Sequence, residues 1–331
     1  MTVSVIIPYY NAAKTLKSAV ESVMSQRMMP LEVILVDNNS SDESPLVAKD
    51  LSTQYPIICL ASEAMKGANY ARNKGMRIAQ GDWLQFLDAD DELLPDKLLH
   101  QMSLIRSKMK SPDIIVGAGY IRIVNPHGMT HQFVKPVPGD PIRGLILGTA
   151  GNTCSNLWNR EFLVGIDGWD ETHTYLNDPF MVLKCIRHGA VLMADNNPLT
   201  MIHQDYREVS YSRPMTSEHL TALMEDVHSY YIELSDYIHI QNPFNLDYLR
   251  LLKQRQFLTY CNFKLQYGNE FPEIIRQAKI RNKLNFHFLS AMKSYYYFLI
   301  SYKVKSVGIL KYPSVLWNSV IHIRQFFSLF S

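Results

Sequence analysis

Two rhythms of apolar residues alternate along the first hundred positions. Residues 3–7 (VSVII) are a β-branched run that predicts a buried strand, closed by Pro8, which lacks the N–H needed to continue a ladder. Ala12, Leu16, Ala19, Val20, Val23 and Met24 then recur at helical spacing and predict an amphipathic helix. Residues 32–36 (EVILV) read as a second strand followed by the polar turn DNNSSDES, and Ile57 to Leu60 as a third. Residues 69–79 read as a helix broken at Gly81. Residues 83–87 (WLQFL) form a fourth strand running into DADDE, and a helix from about Pro95 to Ser107 follows, with proline in its first turn. Strands alternating with helices at this spacing predict βαβ units and a mostly parallel sheet.

The pattern loosens over residues 110–210. Short strands are expected at 113–116 and 119–124, then a Pro/Gly-rich stretch at 136–148 and the segment GIDGWDETHTYLNDPFMVLKCIRHGA. Beyond about residue 215 strand signals fade, and Tyr, Phe, Leu and Lys/Arg recur in helical patterns. The expected organisation is an α/β domain over residues 1–212 and a helical extension over 213–331.

Composition narrows the choices. Of 331 residues, 47% are hydrophobic and 19% charged, enough to build a packed core. A formal net charge of +2 gives no electrostatic footprint for nucleic acid, so no nucleic-acid partner is expected. Cys59, Cys154, Cys185 and Cys261 are widely spaced and suggest neither a zinc site nor a disulfide framework, which fits a reducing cytoplasm. With no basic-then-apolar leader and no run of 18 apolar residues, the chain is expected to be cytoplasmic, or peripheral on the inner face of the cytoplasmic membrane.

Ligands of open α/β sheets bind beyond the carboxyl ends of the strands. Three polar clusters fall there: Tyr9 to Asn11 after the first strand, Asp37 to Asp42 after the second, and Asp88 to Asp91 after the fourth. Alone, Asp37 reads as an Asx turn and Asp42 as a helix cap. Asp88, Asp90 and Asp91, however, crowd three carboxylates into four residues and call for a compensating charge. A divalent cation shared with a diphosphate would supply it.

The segments VSVIIPYYNAAKTLKSAVESVMSQ, EVILVDNNSSDES, KGANYARNKGMRIAQGDWLQFLDADDELLPDKL and GWDE…NDPFMVLKCIRHGA resemble family-2 glycosyltransferases in order and separation, over about residues 1–210. The resemblance implies a Rossmann-like GT-A fold with a mostly parallel mixed sheet. It also implies an inverting, metal-dependent transfer of sugar from a nucleotide-diphosphate donor, expected to be UDP-linked. The acceptor would be a hydroxyl of a glycan or lipid-linked saccharide, as in cell-surface polysaccharide synthesis.

By the same resemblance, Pro8, Tyr10 and Asn11 pack on the base and Asp37 hydrogen-bonds it. The family pattern DDGSTD stands here as DNNSSD, with Asn39 in place of glycine; Asn tolerates the left-handed conformation such a turn needs. Gly67 allows close backbone approach. Arg72, in the G…ARN segment with Asn73, pairs with the acidic cluster or the diphosphate, or only orders the loop. Asp88 contacts the ribose or a metal-bound water, Asp90 coordinates Mn²⁺ or Mg²⁺, and Asp91 is a cap or supporting residue. The family's ED pair stands as Asn177-Asp178, so Asp178 is the expected general base, also placed to cap a helix over 180–188. Trp169 would stack on a sugar and Trp158, with Asn156 and Arg160, would line the acceptor region; a core role is the alternative for these aromatics. His203 is the candidate further metal ligand, although Ser210 and Ser212 come later than the family spacing.

Residues 276–330 combine Lys and Arg with aromatics and contain no acidic residue. Such a segment suits an anionic membrane surface; a helical cap or a homodimer contact is the alternative. A nucleotidyltransferase and a non-catalytic subunit of the same fold are the rival functions. PYYNAAK in place of a basic Gly-rich loop disfavours the first.

Overall fold

The computed structural model describes residues 1–108, 111–124, 130–205, 216–241, 245–267 and 269–281. In chain order the elements are β1 (Val3–Tyr9), α1 (Leu16–Met24), β2 (Glu32–Asp37), α2 (Ser44–Gln54), β3 (Ile58–Ser62), α3 (Ala68–Ile78), β4 (Trp83–Phe86), β5 (Glu92–Leu93), α4 (Lys97–Arg106), β6 (Ile114–Gly117), β7 (Gly119–Val124) and β8 (Thr130–Lys135). They continue with α5 (Pro141–Leu147), β9 (Leu157–Asn159), α6 (Arg160–Gly165), α7 (Asn177–Arg187), β10 (Leu192–Asp195), β11 (Thr200–Asp205), α8 (Ser217–Gln241), α9 (Leu246–Tyr267) and α10 (Pro272–Arg281).

The main sheet has the order β10-β6-β9-β4-β1-β2-β3. β9 runs antiparallel to both its neighbours, and the other pairs are parallel. A smaller sheet, β5-β11-β7-β8, flanks it. The α/β class and the mostly parallel sheet expected from periodicity are both present. Successive residues of β1 show why. Val5 and Ile7 point to one layer, with Leu16, Val20 and Val23 of α1 and Leu51 of α2. Ile6 points to the other, with Ala71 and Met76 of α3 and residues of α7. A central parallel strand buried on both faces reads as a continuous apolar run, as VSVII does.

Pro8 does not end the first strand. β1 continues to Tyr9, and Pro8 is paired in register with Val36. The carbonyls of Val3 and Tyr9 accept from the β2 side, at Leu31 N and Asn38 N, whereas Ile6 O accepts Leu87 N on the β4 side. Residue 8 therefore aims its missing N–H toward β4, which stops at Phe86. No ladder bond is lost, and the proline is tolerated. Pro95 likewise lies outside the helix it was expected to open, since Asp96 is the N-cap of α4.

Helix α2 has no counterpart in the expected pattern. It buries only Ser44, Ala48 and Leu51, too narrow a stripe to stand out. α5 lies inside the Pro/Gly-rich stretch; the Asp140 side chain caps it by accepting from Ile142 N and Arg143 N, and Gly148 closes it at φ 66°. The helical part expected at the C-terminal end is present in α8 to α10. Val227, Tyr230, Tyr231, Leu234 and Ile238 of α8 and Leu252 of α9 share one core cluster with β4, β6 and α7. The expected boundary at residue 212 lies outside the described residues.

Gly117, at the end of β6, faces the Ser155 backbone so closely that a Cβ would overlap the carbonyl oxygen. Its N–H is also held by Asn156 Oδ1 at 3.0 Å. Because the clash is with backbone, no side chain can swing aside. Gly117→Ala is expected to lower stability by about 1–3 kcal/mol, read as a drop in the urea midpoint at unchanged slope; an unchanged midpoint would refute the packing argument.

Candidate active site

Parallel strands bring their carboxyl ends to one edge, and the loops leaving β1, β2 and β4 meet there. Asn11 sits at φ 50°; its Oδ1 accepts from Ser41 N at 2.8 Å, and its N–H donates to Ser40 Oγ at 3.1 Å. Asp37 Oδ1 accepts from Ser40 N at 3.1 Å, forming the expected Asx-type turn. Asn39 takes φ 65°, so the residue in place of glycine does adopt the left-handed conformation. Its side chain adds a bond to Ala64 O at 2.7 Å. Asn38 joins the same loop through Met65 O at 2.6 Å and accepts from Gly67 N at 2.8 Å. Gly67 itself has φ 141°, where a side chain is strained. Asp42 lies just outside α2 and accepts from Ser44 N at 2.9 Å. Tyr10 and Asn11 are exposed at this edge, and Pro8 is buried beneath them.

Arg72 occupies the centre. The residue is 5% exposed, donates to Asp88 Oδ1 at 2.9 Å and to Asn69 Oδ1 at 3.0 Å, and places its guanidinium 4.8 Å from the Trp169 ring centroid. Asp88 is thus paired with Arg72, while Asp90 is exposed. Asp91 turns inward, accepting from His203 N at 2.9 Å and from the Cys154 thiol at 3.2 Å. It caps no helix. Burial, reinforced by Asp88 and Asp90, holds its carboxyl well above the usual range. Burial likewise pushes the Cys154 thiol up, so it stays protonated and donates.

His203 lies on β11 with its Nε2 3.5 Å from Glu92 Oε1; that nitrogen is buried and makes no hydrogen bond among the described residues. Asp205 falls at the end of the same strand. No three His, Cys, Asp or Glu side chains gather around one point among the described residues. A metal here would need oxygens from its ligand as well as from the protein.

Asp178 is in the first turn of α7, which begins at Asn177, three residues before the expected start, so it is not the cap. Leu176 holds the cap position at φ 53°. Thr153 donates its hydroxyl to Asp178 Oδ1. Burial raises the Asp178 carboxyl above the usual carboxylate range, opposed by Arg72 and Thr153 and assisted by Asp88. Asn177, where the resemblance leads to the expectation of an acid, accepts from Asn69 Nδ2 at 2.9 Å. A chain of contacts therefore runs Asn177–Asn69–Arg72–Asp88, tying α7 to α3 and to the acidic loop.

Trp158 and Trp169 are not acceptor platforms. They are 0% and 2% exposed and stack edge-on, Trp169 with centroids 5.5 Å from Phe86 and 5.8 Å from Trp158. The core alternative holds for both, because near-complete burial, with Phe86 at the edge and Arg72 over the Trp169 ring, leaves no face open to a sugar. Asn156 is also fully buried and braces Gly117. Asn73 reads both sides of the GWDE turn: its amide donates to Trp169 O at 2.8 Å and accepts from Trp169 N at 2.8 Å.

Sequence reasoning missed Asn69, Thr153 and Cys154. Asn69, Arg72 and Asn73 are polar residues three and four apart on one helix face, a signal that was available. Thr153 and Cys154 carry none, because a loop between α5 and β9 shows no periodicity. A pocket of about 190 Å³ runs along another face of α7, lined by Asn69, His173, Asn177, Phe180 and Lys184 among others; neither Asp178 nor Asp90 lines it.

Residues 4–157 match the sequence model of glycosyl transferase family 2. An uncharacterised glycosyltransferase of Escherichia coli, YibD, is 41% identical over 92 residues, 28% of this chain and 27% of the relative. A second Escherichia coli protein, the UDP-Glc:α-D-GlcNAc-diphosphoundecaprenol β-1,3-glucosyltransferase WfgD, is 34% identical over 134 residues, 40% of this chain and 51% of the relative. The chain thus spans about a quarter to a half of the length of these relatives. The fold is similar to that of Staphylococcus aureus TarS 1-349 in complex with UDP-GlcNAc, with a TM-score of 0.61, 17% identity and coverage of 84% of this chain and 79% of that one. It is also similar to a mannosyltransferase of Pyrobaculum calidifontis in complex with GDP-Man and Mn²⁺, with a TM-score of 0.50, 17% identity and coverage of 86% and 84%.

The raised Asp178 pKa fixes a sign for stability. A carboxyl that binds its proton more tightly folded than unfolded loses stability as pH rises through the window between the two values. Asp178→Asn is therefore expected to be more stable than the wild type at neutral pH. The gap should close as pH falls toward about 4, the unperturbed range. Urea denaturation across pH checks this, and a gap independent of pH would refute it.

Proposed function

We propose, from the match of residues 4–157 to glycosyl transferase family 2, that this site carries out an inverting transfer of a sugar from a nucleotide-diphosphate donor to an acceptor hydroxyl. The observation that carries the reading is the pairing of Arg72 with Asp88 near the half-buried carboxyl of Asp178. The Arg72 guanidinium suits a diphosphate and the Asp178 carboxyl suits a proton acceptor. In this reading Pro8, Tyr10, Asn11 and Asp37 hold the base, and Gly67 lets the backbone come close to the donor. UDP is the favoured nucleotide, in line with the UDP-GlcNAc bound by TarS and the UDP-Glc named for WfgD. A lipid-linked saccharide is the favoured acceptor class, as in the name of WfgD.

The chemistry then follows from the residues. The acceptor oxygen attacks the anomeric carbon opposite the leaving group, and the carbon–oxygen bond to the diphosphate breaks with its electron pair. Asp178 takes the hydroxyl proton as that bond forms. Its raised pKa suits the role, since a more basic carboxylate accepts a proton more readily. Arg72 lies close enough to Asp178 to favour its charged form before attack.

Asp90, exposed in the loop after β4, and His203, whose buried Nε2 makes no hydrogen bond among the described residues and lies 3.5 Å from Glu92 Oε1, are the residues that would hold a divalent ion together with oxygens of a diphosphate. When bound, Mn²⁺ or Mg²⁺ supplies neutralisation of the charge gathering on the leaving diphosphate. The Pyrobaculum neighbour was captured with Mn²⁺.

The family match displaces the nucleotidyltransferase reading. A thermal-shift series with UDP, GDP, CDP and dTDP, with and without Mn²⁺, tests what remains. Stabilisation by one nucleotide, metal-dependent and lost in Asp90→Ala, is the expected result, because a native-state ligand raises the melting point by mass action. Asp178→Asn should keep that shift and lose turnover of the matching sugar nucleotide by about 10²–10⁴-fold. No shift with any nucleotide in folded protein would favour a non-catalytic subunit instead.

The basic, acid-free, aromatic stretch 276–330 adds a second element to the proposal: attachment to an anionic bilayer, where lipid-linked acceptors reside. Among the described residues no helix is long and apolar enough to cross a membrane, and residues 282–331 lie outside them. The full chain should co-sediment with phosphatidylglycerol vesicles at low salt and be released at high salt. Equal sedimentation with neutral phosphatidylcholine vesicles would contradict the electrostatic attachment.

A further inference from the structure

The turn that delivers Asp178 is held by a residue outside the matched family segment. Asp226, on α8, spreads its carboxylate over three consecutive residues. Oδ1 lies 3.0 Å from His173 Nδ1, and Oδ2 accepts from Thr174 N at 3.1 Å and from Tyr175 N at 2.7 Å. The next three residues are Leu176, Asn177 and Asp178. The side chains of both Asp226 and His173 are largely buried, at 14% and 15% exposed. The His173 ring also stacks on Phe180, one turn into α7, at 3.6 Å between centroids.

Leu176 explains why such a clamp is needed. It adopts φ 53°, ψ 28°, a left-handed conformation that costs a branched residue about 1–2 kcal/mol. A turn built on that conformation relaxes unless its neighbours are pinned. Asn69 pins the downstream side through Nδ2 to Asn177 Oδ1 at 2.9 Å, and is itself tied to Asp170 O at 2.6 Å. Asp226 pins the upstream side. Relaxation of Leu176 would rotate the first turn of α7 and carry Asp178 away from Thr153.

We propose that Asp226 is a positioning residue for the general base, so that helix α8 of the C-terminal part is a working component of the catalytic site. This rests on the assignment of Asp178 as base. Asp226 touches no reacting atom; it acts by fixing the 173–176 turn. An alanine there removes the partner of the His173 ring and of both backbone N–H groups, whereas an asparagine could keep all three by accepting twice on Oδ1 and donating from Nδ2 to the imidazole.

Two measurements on Asp226→Ala in the full chain test the proposal. The first is amide hydrogen exchange, which does not depend on the donor assignment. Faster exchange is expected to spread from residues 174–175 to Phe180 and Met181, whose N–H groups close the first turn of α7, with the β1–β4 core unchanged. Exchange confined to the two lost bonds, or raised across the whole molecule, would overturn the clamp. The second is steady-state turnover of the sugar nucleotide. A misplaced base should lower kcat by about 10–100-fold, with donor KM and the nucleotide-induced melting shift within about twofold of wild type. Unchanged kcat, or kcat and nucleotide binding lost together, would overturn it; Asp226→Glu, which restores both acceptor oxygens, should recover part of kcat. Absence of turnover in the wild type would count against the assigned function, while the exchange result would still decide the clamp.

Discussion

Arg72 carries a permanent positive charge into a site that is otherwise acidic, and most of the geometry around the cleft answers to it. Its stacking on Trp169 is worth about 0.5–2 kcal/mol, too little to offset several kcal/mol for withdrawing a guanidinium from water. Asp88, the Asn69 carbonyl and the nearby Asp178 carboxyl must supply the balance. The same balance runs in reverse. Without the guanidinium, Asp178 would keep the repulsion of Asp88 and lose the charge that opposes it, and its carboxyl, already raised by burial, would rise further. One side chain therefore links the acidic loop after β4, the face of α3 and the start of α7.

Around that charge the loops are fastened by neutral amides. Asn11, Asn38, Asn39, Asn69, Asn73 and Asn156 each bond to backbone or to another amide at the strand ends. A carboxamide both donates and accepts, so it can satisfy an N–H and a carbonyl of the same loop without adding charge. This gives Asn177 a physical rationale. An acid in its place would face the Asn69 amide and still lie near Asp178, adding repulsion to a carboxyl that burial already disfavours.

Below the cleft lies a polar layer that a stability-optimised core would not contain. Lys97 is 1% exposed and bonded to Gln85 and Gln101, and burial lowers its pKa to about 7. Gln101 continues to Ser155 O and Asp195, and Gln85 to Cys154 O. These bonds hold the 153–155 loop, from which Thr153 reaches Asp178 and Cys154 reaches Asp91. Fully bonded buried networks of this kind make an arrangement unique at some cost in stability, and here the arrangement they fix is that of the two carboxyls.

Much was legible in the sequence where the chain repeats a period. β1, β2, β4, α1, α3 and α4 announce themselves because both-face burial of a parallel strand and one-face burial of a helix leave direct apolar patterns. The cluster Asp88 to Asp91 was legible too, since charge crowding is local, and the left-handed Asn39 was legible through the resemblance, which places a glycine there. α2, with three small or single apolar anchors, and β5, with two residues, were not. What an aromatic or a polar residue does was decided only by tertiary structure. Trp158 and Trp169 could equally have faced a ligand until Phe86 and each other closed over them. Pro8 reads as a strand end unless it is known that β4 stops short of it. The roles of Thr153, Cys154 and Asp226 depend on contacts spanning 25, 63 and 51 to 53 positions. Period is a property of neighbours along the chain, whereas a hydrogen bond between loops exists only once the sheet has brought them to the same edge.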